Sequence, residues 1–291
     1  MVGKIYQGLA LHMSIDWYKI AKPQSDGYDS NILCKKAQEN YNWQKSIPQT
    51  PYSLCNGNVA IFEGKNSKCI PGFNLGPAGT FIPHVCTAEW VDQFRPFIET
   101  WNDGCLALSK FVDEFWAWDL SDQHPLKSSG TSGCASGHID IKRERYYQHV
   151  VSVTTYSLHG CSEGIYHEYA HLRLQALGIG IEDHNYELLL NSPEELYSSS
   201  VRFDKKRPMS AVLHGVYAWL MFLENNCQLL KSHIISEEKF RSVVSQQYPK
   251  LENGINEVKQ YARFTDNGND FIRGVYDWSD DLVLRCKTVC E

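Results

Sequence analysis

The sequence predicts an α+β protein, predominantly α-helical, with a small β-sheet. Three observations lead there. Apolar residues recur at helical spacing through long segments, chiefly TAEWVDQFRPFIETWNDGCLALSKFVDEFWAW (87–118), EGIYHEYAHLRLQAL (163–177) and MSAVLHGVYAWLMFLENN (209–226). Two segments, HIDIKRE (138–144) and HVVSVTTYSL (149–158), alternate or are β-branched and read as strands. Residues 51–86 are rich in Gly, Pro and Asn and read as loops with at most short strands.

In chain order, the first fifty residues predict one or two short helices, ILCKKAQENYNWQK being the better candidate. The 87–118 segment reads as one long broken helix or two, with Thr87 a mediocre cap and Pro96 a kink or a new start. SSGTSGCASG (128–137) reads as a flexible loop; it lacks the Lys-Ser/Thr ending of a phosphate-binding loop. Ser162 is placed to cap the next helix and Gly178 to stop it. A strong helix follows Pro208, then two amphipathic ones at SEEKFRSVVSQQY and PKLENGINEVKQYARF. With no internal repeat and no linker, the expectation is a single catalytic domain over 1–291. Its core would be 130–225, flanked by an N-terminal part (1–120) of unassigned role and C-terminal helices (226–291).

Composition narrows the function. With 291 residues the chain can bury a substantial core. A net charge of -6 and no long basic run argue against nucleic-acid binding. The N-terminus, MVGKIYQGLALHMSIDWYKI, has its apolar residues broken by His12, Asp16 and Lys19, unlike a signal peptide, and no stretch approaches a membrane span. The ten cysteines are scattered without a CxxC pair, which reads as reduced, mostly packing thiols of a cytoplasmic protein. Nothing in the pattern speaks to oligomeric state.

The chemistry concentrates in EGIYHEYAHLRL. On a helix His167 and His171, four apart, leave the same face one turn from each other and can share one ion, with Glu168 at the rim. The bland alternative is two partly exposed histidines on an amphipathic helix. Against it, Ile165, Tyr166, Tyr169, Ala170 and Leu172 make the helix apolar, and it follows a strand directly. Buried imidazoles need partners, and a shared metal supplies them.

The third ligand decides which enzyme this is. The peptidase pattern HExxHxxGxxH is excluded, because Leu174 and Leu177 occupy its Gly and last His positions. A carboxylate from downstream stays open: Glu187, Glu194 and Glu195 lie within range, although NSPEEL reads as a capped turn with solvated acids. His214 is the better candidate; alone in an apolar helix it reads by default as a core residue hydrogen-bonded to a carbonyl, a default weakened by the cationic turn SSSVRFDKKRP just before, with Arg202 and Arg207. Three neutral imidazoles with exchangeable positions suit iron or zinc. Arginines nearby suit a carboxylate co-substrate, though each alone reads equally well as a surface ion pair.

GIYHEYAHLRLQAL followed by YSSSVRFDKKRPMSAVLHGVYAWLMF resembles the HExxH-motif peptide-modification family of ribosomally made peptide natural products. That family shows HE-x-x-H-x-x-L, a later Ser-Pro-Trp-Arg-like element, an Arg-Pro pair and a Leu-His-Gly-Val-Tyr helix. The resemblance spans roughly residues 130–225. It implies an Fe(II)- and 2-oxoglutarate-dependent oxygenase that uses O2 to hydroxylate a precursor peptide at Cβ. His167, His171 and His214 would hold the iron. Ser199 and Arg202 match the Ser-Pro-Trp-Arg element and Arg207-Pro208 the Arg-Pro pair, so one or both arginines would hold the distal carboxylate of 2-oxoglutarate. Tyr217, one turn beyond His214, would add a hydroxyl, and Glu168 would orient a ligand or a water or bind the metal itself. Two departures stand out: Ser200 and Val201 replace Pro-Trp, and the gap between the arginines is one residue longer. Ordinary 2-oxoglutarate oxygenases use a cupin-type double-stranded β-helix; the sparse strand pattern here implies a different fold.

The alternative is a zinc metallopeptidase with Zn(II), Glu168 as general base and a carboxylate third ligand. A third is a non-enzymatic peptide-binding protein with a structural metal, which would have four protein ligands and no open position.

Overall fold

A computed structural model describes residues 14–45, 50–63, 81–120, 136–138, 149–155, 157–181, 187–201 and 204–290. The chain is α+β and mostly helical, as its periodicity predicts. It begins with α1 (Trp17–Ile20) and α2 (Tyr28–Tyr41), then β1 (Ser53–Leu54), β2 (Val59–Glu63) and β3 (Phe81–Pro83). Next come α3 (Ala88–Glu99), α4 (Asn102–Phe111), β4 (Glu114–Leu120), β5 (Ser136–His138) and β6 (Val150–Thr154). The second half holds α5 (Leu158–Ala176), the small β7 (Leu196–Tyr197) and β8 (Arg207–Pro208), α6 (Met209–Lys231), α7 (Glu237–Tyr261) and α8 (Asp266–Cys290).

The main sheet runs β1-β2-β4-β6-β5, with β3 also pairing β4; β2, β4 and β6 are parallel and the outer pairings antiparallel. Among the described residues no barrel forms, and β7 and β8 make a separate antiparallel pair.

Thr87 caps α3 by accepting from the Trp90 amide at 3.1 Å, and Pro96 lies inside that helix. The helical reading of 87–118 fails at its end, where EFWAWDL is the central strand β4. Phe115, Trp116, Ala117 and Trp118 are all buried, so both faces of the strand are covered. A continuous apolar run of this kind fits a buried strand or a helix equally well. HVVSVTTYSL does contain a strand, β6, buried at every position. Of HIDIKRE only His138 is described, and the greater part of the 128–137 loop also lies outside the described residues.

The motif helix begins earlier than expected. Ser157, not Ser162, is its cap, accepting from the Gly160 amide at 3.0 Å, while Ser162 is buried within the helix. Gly178 stops it with φ 84, the left-handed region where a side chain would be strained. The two C-terminal amphipathic segments form one continuous helix, α7, through Pro249.

α6 is buried along nearly its whole length, because its sequence is apolar on every face. It packs between α5 and α7, while α5 also contacts α2, α3, β5 and β6. The fully buried Arg173 ties the N-terminal helices to this pair. Its Nη1 donates to Asp29 Oδ2 (2.6 Å) and Tyr169 Oη (2.9 Å), Nε to Tyr217 Oη (3.0 Å), and Nη2 to the Ile20 carbonyl (2.8 Å). The Tyr217 hydroxyl in turn donates to the Ala21 carbonyl at 2.7 Å. Such a charge survives burial because its donors are matched.

Candidate metal centre

Four-residue spacing lines up His159, Glu163, His167 and His171 along one face of α5. That face meets α6. His171 pairs with His214, the His167 ring lies 6.1 Å from Trp219, and Glu163 bonds Asn226. Rising numbers on α5 meet falling side-by-side positions from the far end of α6, so the two helices run antiparallel with a polar seam between them.

At the centre of the seam His167 Nε2 and His171 Nε2 are 3.1 Å apart, with rings nearly perpendicular at 80°. Two imidazoles on one ion, each about 2.1 Å from it, place their nitrogens roughly 3.0–3.4 Å apart. The donor pair therefore fits a metal. Glu168, buried, brings a carboxylate oxygen within 4.8 Å of a nitrogen of each histidine. Among the described residues, this is the group of His, Cys, Asp and Glu side chains close enough to hold one ion.

His214 is almost fully buried and its tautomer follows from its partner. Its Nε2 is 2.7 Å from the Ile179 carbonyl, which can only accept, so Nε2 carries the proton. Nδ1 of the neutral ring then presents a lone pair, and it faces His171 Nδ1 at 2.9 Å. If His214 Nδ1 accepts, His171 Nδ1 donates to it, which leaves His171 Nε2 as the nitrogen facing His167; His214 thus fixes the His171 ring, as partners of metal-site histidines do. Gly178 makes this possible, since its left-handed turn reverses the chain and brings Ile179 back over α6.

The other predicted residues divide. Ser199 is buried next to α6, its Oγ accepting from the Val201 amide at 3.2 Å. The segment lies against Gly215, where a Cβ would sit 2.8 Å from Val201 Cγ2; the glycine after His214 gives it room. Arg207, half-buried in β8, pairs with Tyr197 and leads through Pro208 into α6. Arg202 lies outside the described residues. Tyr217 points to the Arg173 cluster, with its hydroxyl engaged by Arg173 and the Ala21 carbonyl.

The carboxylates that a peptidase would require are engaged elsewhere. Glu187 pairs with Lys36 at 2.6 Å, and Glu194 is exposed and bonded to the Ser192 hydroxyl. Glu195 is held by Tyr197 and by Arg263 at 2.5 Å, which lower its carboxyl to about 2.

Sequence reading missed the outer end of the seam. His159 Nε2 lies 2.7 Å from Asn226 Oδ1 and 3.2 Å from Glu163 Oε1, and Asn226 Nδ2 donates to Glu163 at 3.0 Å. Burial raises the Glu163 carboxyl to about 7 and lowers His159. The repeat of four from His159 to His171 was the available signal. Trp219 was missed too; the Lys250 ammonium stands 4.9 Å over its ring. No protein-family model and no curated protein sequence matches the chain.

Proposed function

We propose that the chain is an iron(II)- and 2-oxoglutarate-dependent oxygenase that hydroxylates a side-chain carbon of a ribosomally made precursor peptide in the cytoplasm. The observation that carries this reading is the pairing of His167 and His171 beside Glu168, with the imidazole of His214 in contact with His171 on the same seam. The three carboxylates that a peptidase could recruit as a third ligand are paired elsewhere. An all-imidazole set beside a single carboxylate leaves positions open for a co-substrate and O2.

His167 and His171 would hold the iron through Nε2; His214, whose Nδ1 meets the other nitrogen of His171, would join as third ligand through a turn of the His171 ring. When bound, iron(II) with 2-oxoglutarate and O2 supplies the oxidising power, converting the co-substrate to succinate and CO2. The protein's own groups do the rest. Glu168 holds or moves a proton at the rim, and Arg207, at the entrance to α6, supplies a cation for the co-substrate's distal carboxylate. Trp219, near His167, and Phe222, packed against Trp219, keep water from the reacting carbon. Membrane attachment is not invoked; no helix among the described residues is long and apolar enough to cross a bilayer.

Glu168 beside the histidine pair also supports a zinc peptidase, in which it would activate water. Two measurements separate the readings. Anaerobic Fe(II) with 2-oxoglutarate is expected to give a weak visible charge-transfer band, lost in His171→Ala and His214→Ala; its absence from the wild type would sink the oxygenase. Incubation of a candidate precursor peptide with Fe(II), 2-oxoglutarate and ascorbate is expected to add one oxygen by mass spectrometry. Backbone fragments formed with Zn(II) would select the peptidase.

A further inference from the structure

Two thiols that the metal centre does not use face each other at the opposite end of α6. Cys227 lies thirteen residues after His214, about 20 Å along the helix axis. Its Sγ is 4.0 Å from Sγ of Cys286 on α8, and both are free thiols. A disulfide needs about 2.05 Å between sulfurs, a closure of about 2 Å that side-chain rotation can supply.

The pair is not sealed in the core. Cys286 lines a cavity of about 300 Å³ between α7 and α8, together with Val244, Ser245, Tyr248, Pro249 and Lys287. Cys227 is half-buried and Cys286 buried, so the cavity wall formed by Cys286 is the side from which a small reagent would reach that residue. The neighbouring Arg285 guanidinium is fixed by Glu224 at 2.5 and 2.9 Å, keeping a positive charge beside the pair. The hydrogen bond from Cys227 and that guanidinium hold the Cys286 thiol below its ordinary range, whereas Cys227 is pushed up. A thiol so placed is the one that ionises and attacks.

We propose that Cys286 and Cys227 form a thiol-oxidation site, at which a hydroperoxide entering the α7–α8 cavity converts the dithiol to an intramolecular disulfide. The Cys286 thiolate attacks one peroxide oxygen and the O–O bond breaks. The departing hydroxide takes the thiol's proton and leaves as water, and Cys286 becomes a sulfenic acid. The Cys227 sulfur then attacks the Cys286 sulfur, the S–O bond breaks, and a second water leaves with the Cys227 proton. In sum, two thiols and one hydrogen peroxide give one disulfide and two waters. The product joins α6 covalently to α8.

The test uses the reduced full-length chain and hydrogen peroxide, followed by alkylation and digestion without reductant. The expected result is loss of two thiols per chain and recovery of a Cys227–Cys286 linked peptide. Dimedone should label Cys286 in Cys227→Ser and leave Cys227 unlabelled in Cys286→Ser. Linkage through other cysteines, with the Cys55–Cys105 pair as the internal competitor, would overturn the proposal. So would labelling at Cys227, or both thiols surviving doses that oxidise the others. Because the wild-type linkage map decides the matter alone, misfolding of a serine variant leaves the outcome readable.

Discussion

His171 and Arg173 stand two residues apart on α5, yet their side chains end in opposite surroundings. Arg173 reaches a closed hub, where Asp29, Tyr169, Tyr217 and the Ile20 carbonyl account for its donors. His171 lies in a seam of imidazoles and carboxylates, half-buried, with nitrogens turned toward other nitrogens. The hub is a finished structure: a charge with its partners. The seam brings together imidazole nitrogens and a carboxylate at spacings that could hold an ion. Polar residues on one helix thus serve two ends, and donor–acceptor matching as well as burial tells them apart.

Breaking the hub should have the largest effect. Arg173→Met leaves Asp29 buried without its cation and is expected to cost about 3–5 kcal/mol in urea unfolding. A loss under about 1 kcal/mol would mean that the N-terminal helices are not anchored through this contact.

The seam should differ by responding to pH. The Glu163 carboxyl has its folded pKa raised by burial from 4.5 to about 7. The folded state therefore binds the proton more tightly than the unfolded state. This contribution to stability is full below about pH 4.5 and is lost as pH rises through 7, amounting to ~3 kcal/mol. Glu163→Gln should flatten that slope, gaining stability over wild type at pH 8 and little at pH 4. Equal effects at both pH values would remove the titration from the seam.

Tyr217 draws the boundary between the two regions, and its effect should be the smallest. Tyr217→Phe loses the bonds to Arg173 and the Ala21 carbonyl and should cost about 1–2 kcal/mol of stability. Its 2-oxoglutarate affinity should stay within twofold of wild type. A tenfold loss of that affinity would move the hydroxyl from the hub into the co-substrate site.

These contrasts mark how far the residues could be read. α5 and α6 were legible because their patterns are local: His167 and His171 sit at i and i+4, and Gly178 ends the helix. The grouping of side chains at the candidate site was partly legible for the same reason, with His214 standing out as a polar group in an apolar helix. The hub was not, because Asp29 and Arg173 are 144 positions apart and nothing local pairs them. For β4, VDEFWAW carries apolar residues on both faces, and such a run holds no period to separate strand from helix. Tyr217 shows the limit of helical-wheel reasoning. One turn beyond His214 on α6, its hydroxyl reaches instead to a carbonyl in the N-terminal region.

The orientation of His214 rests on the Ile179 carbonyl, a group that every residue type carries. Replacing Ile179 changes a side chain and leaves the acceptor in place, so the contact does not depend on which side chain stands there. What must be preserved is the path of the chain at Gly178, whose φ of 84 few other residues adopt at low cost. The ring's geometry thus depends on the backbone turn at a glycine on another element.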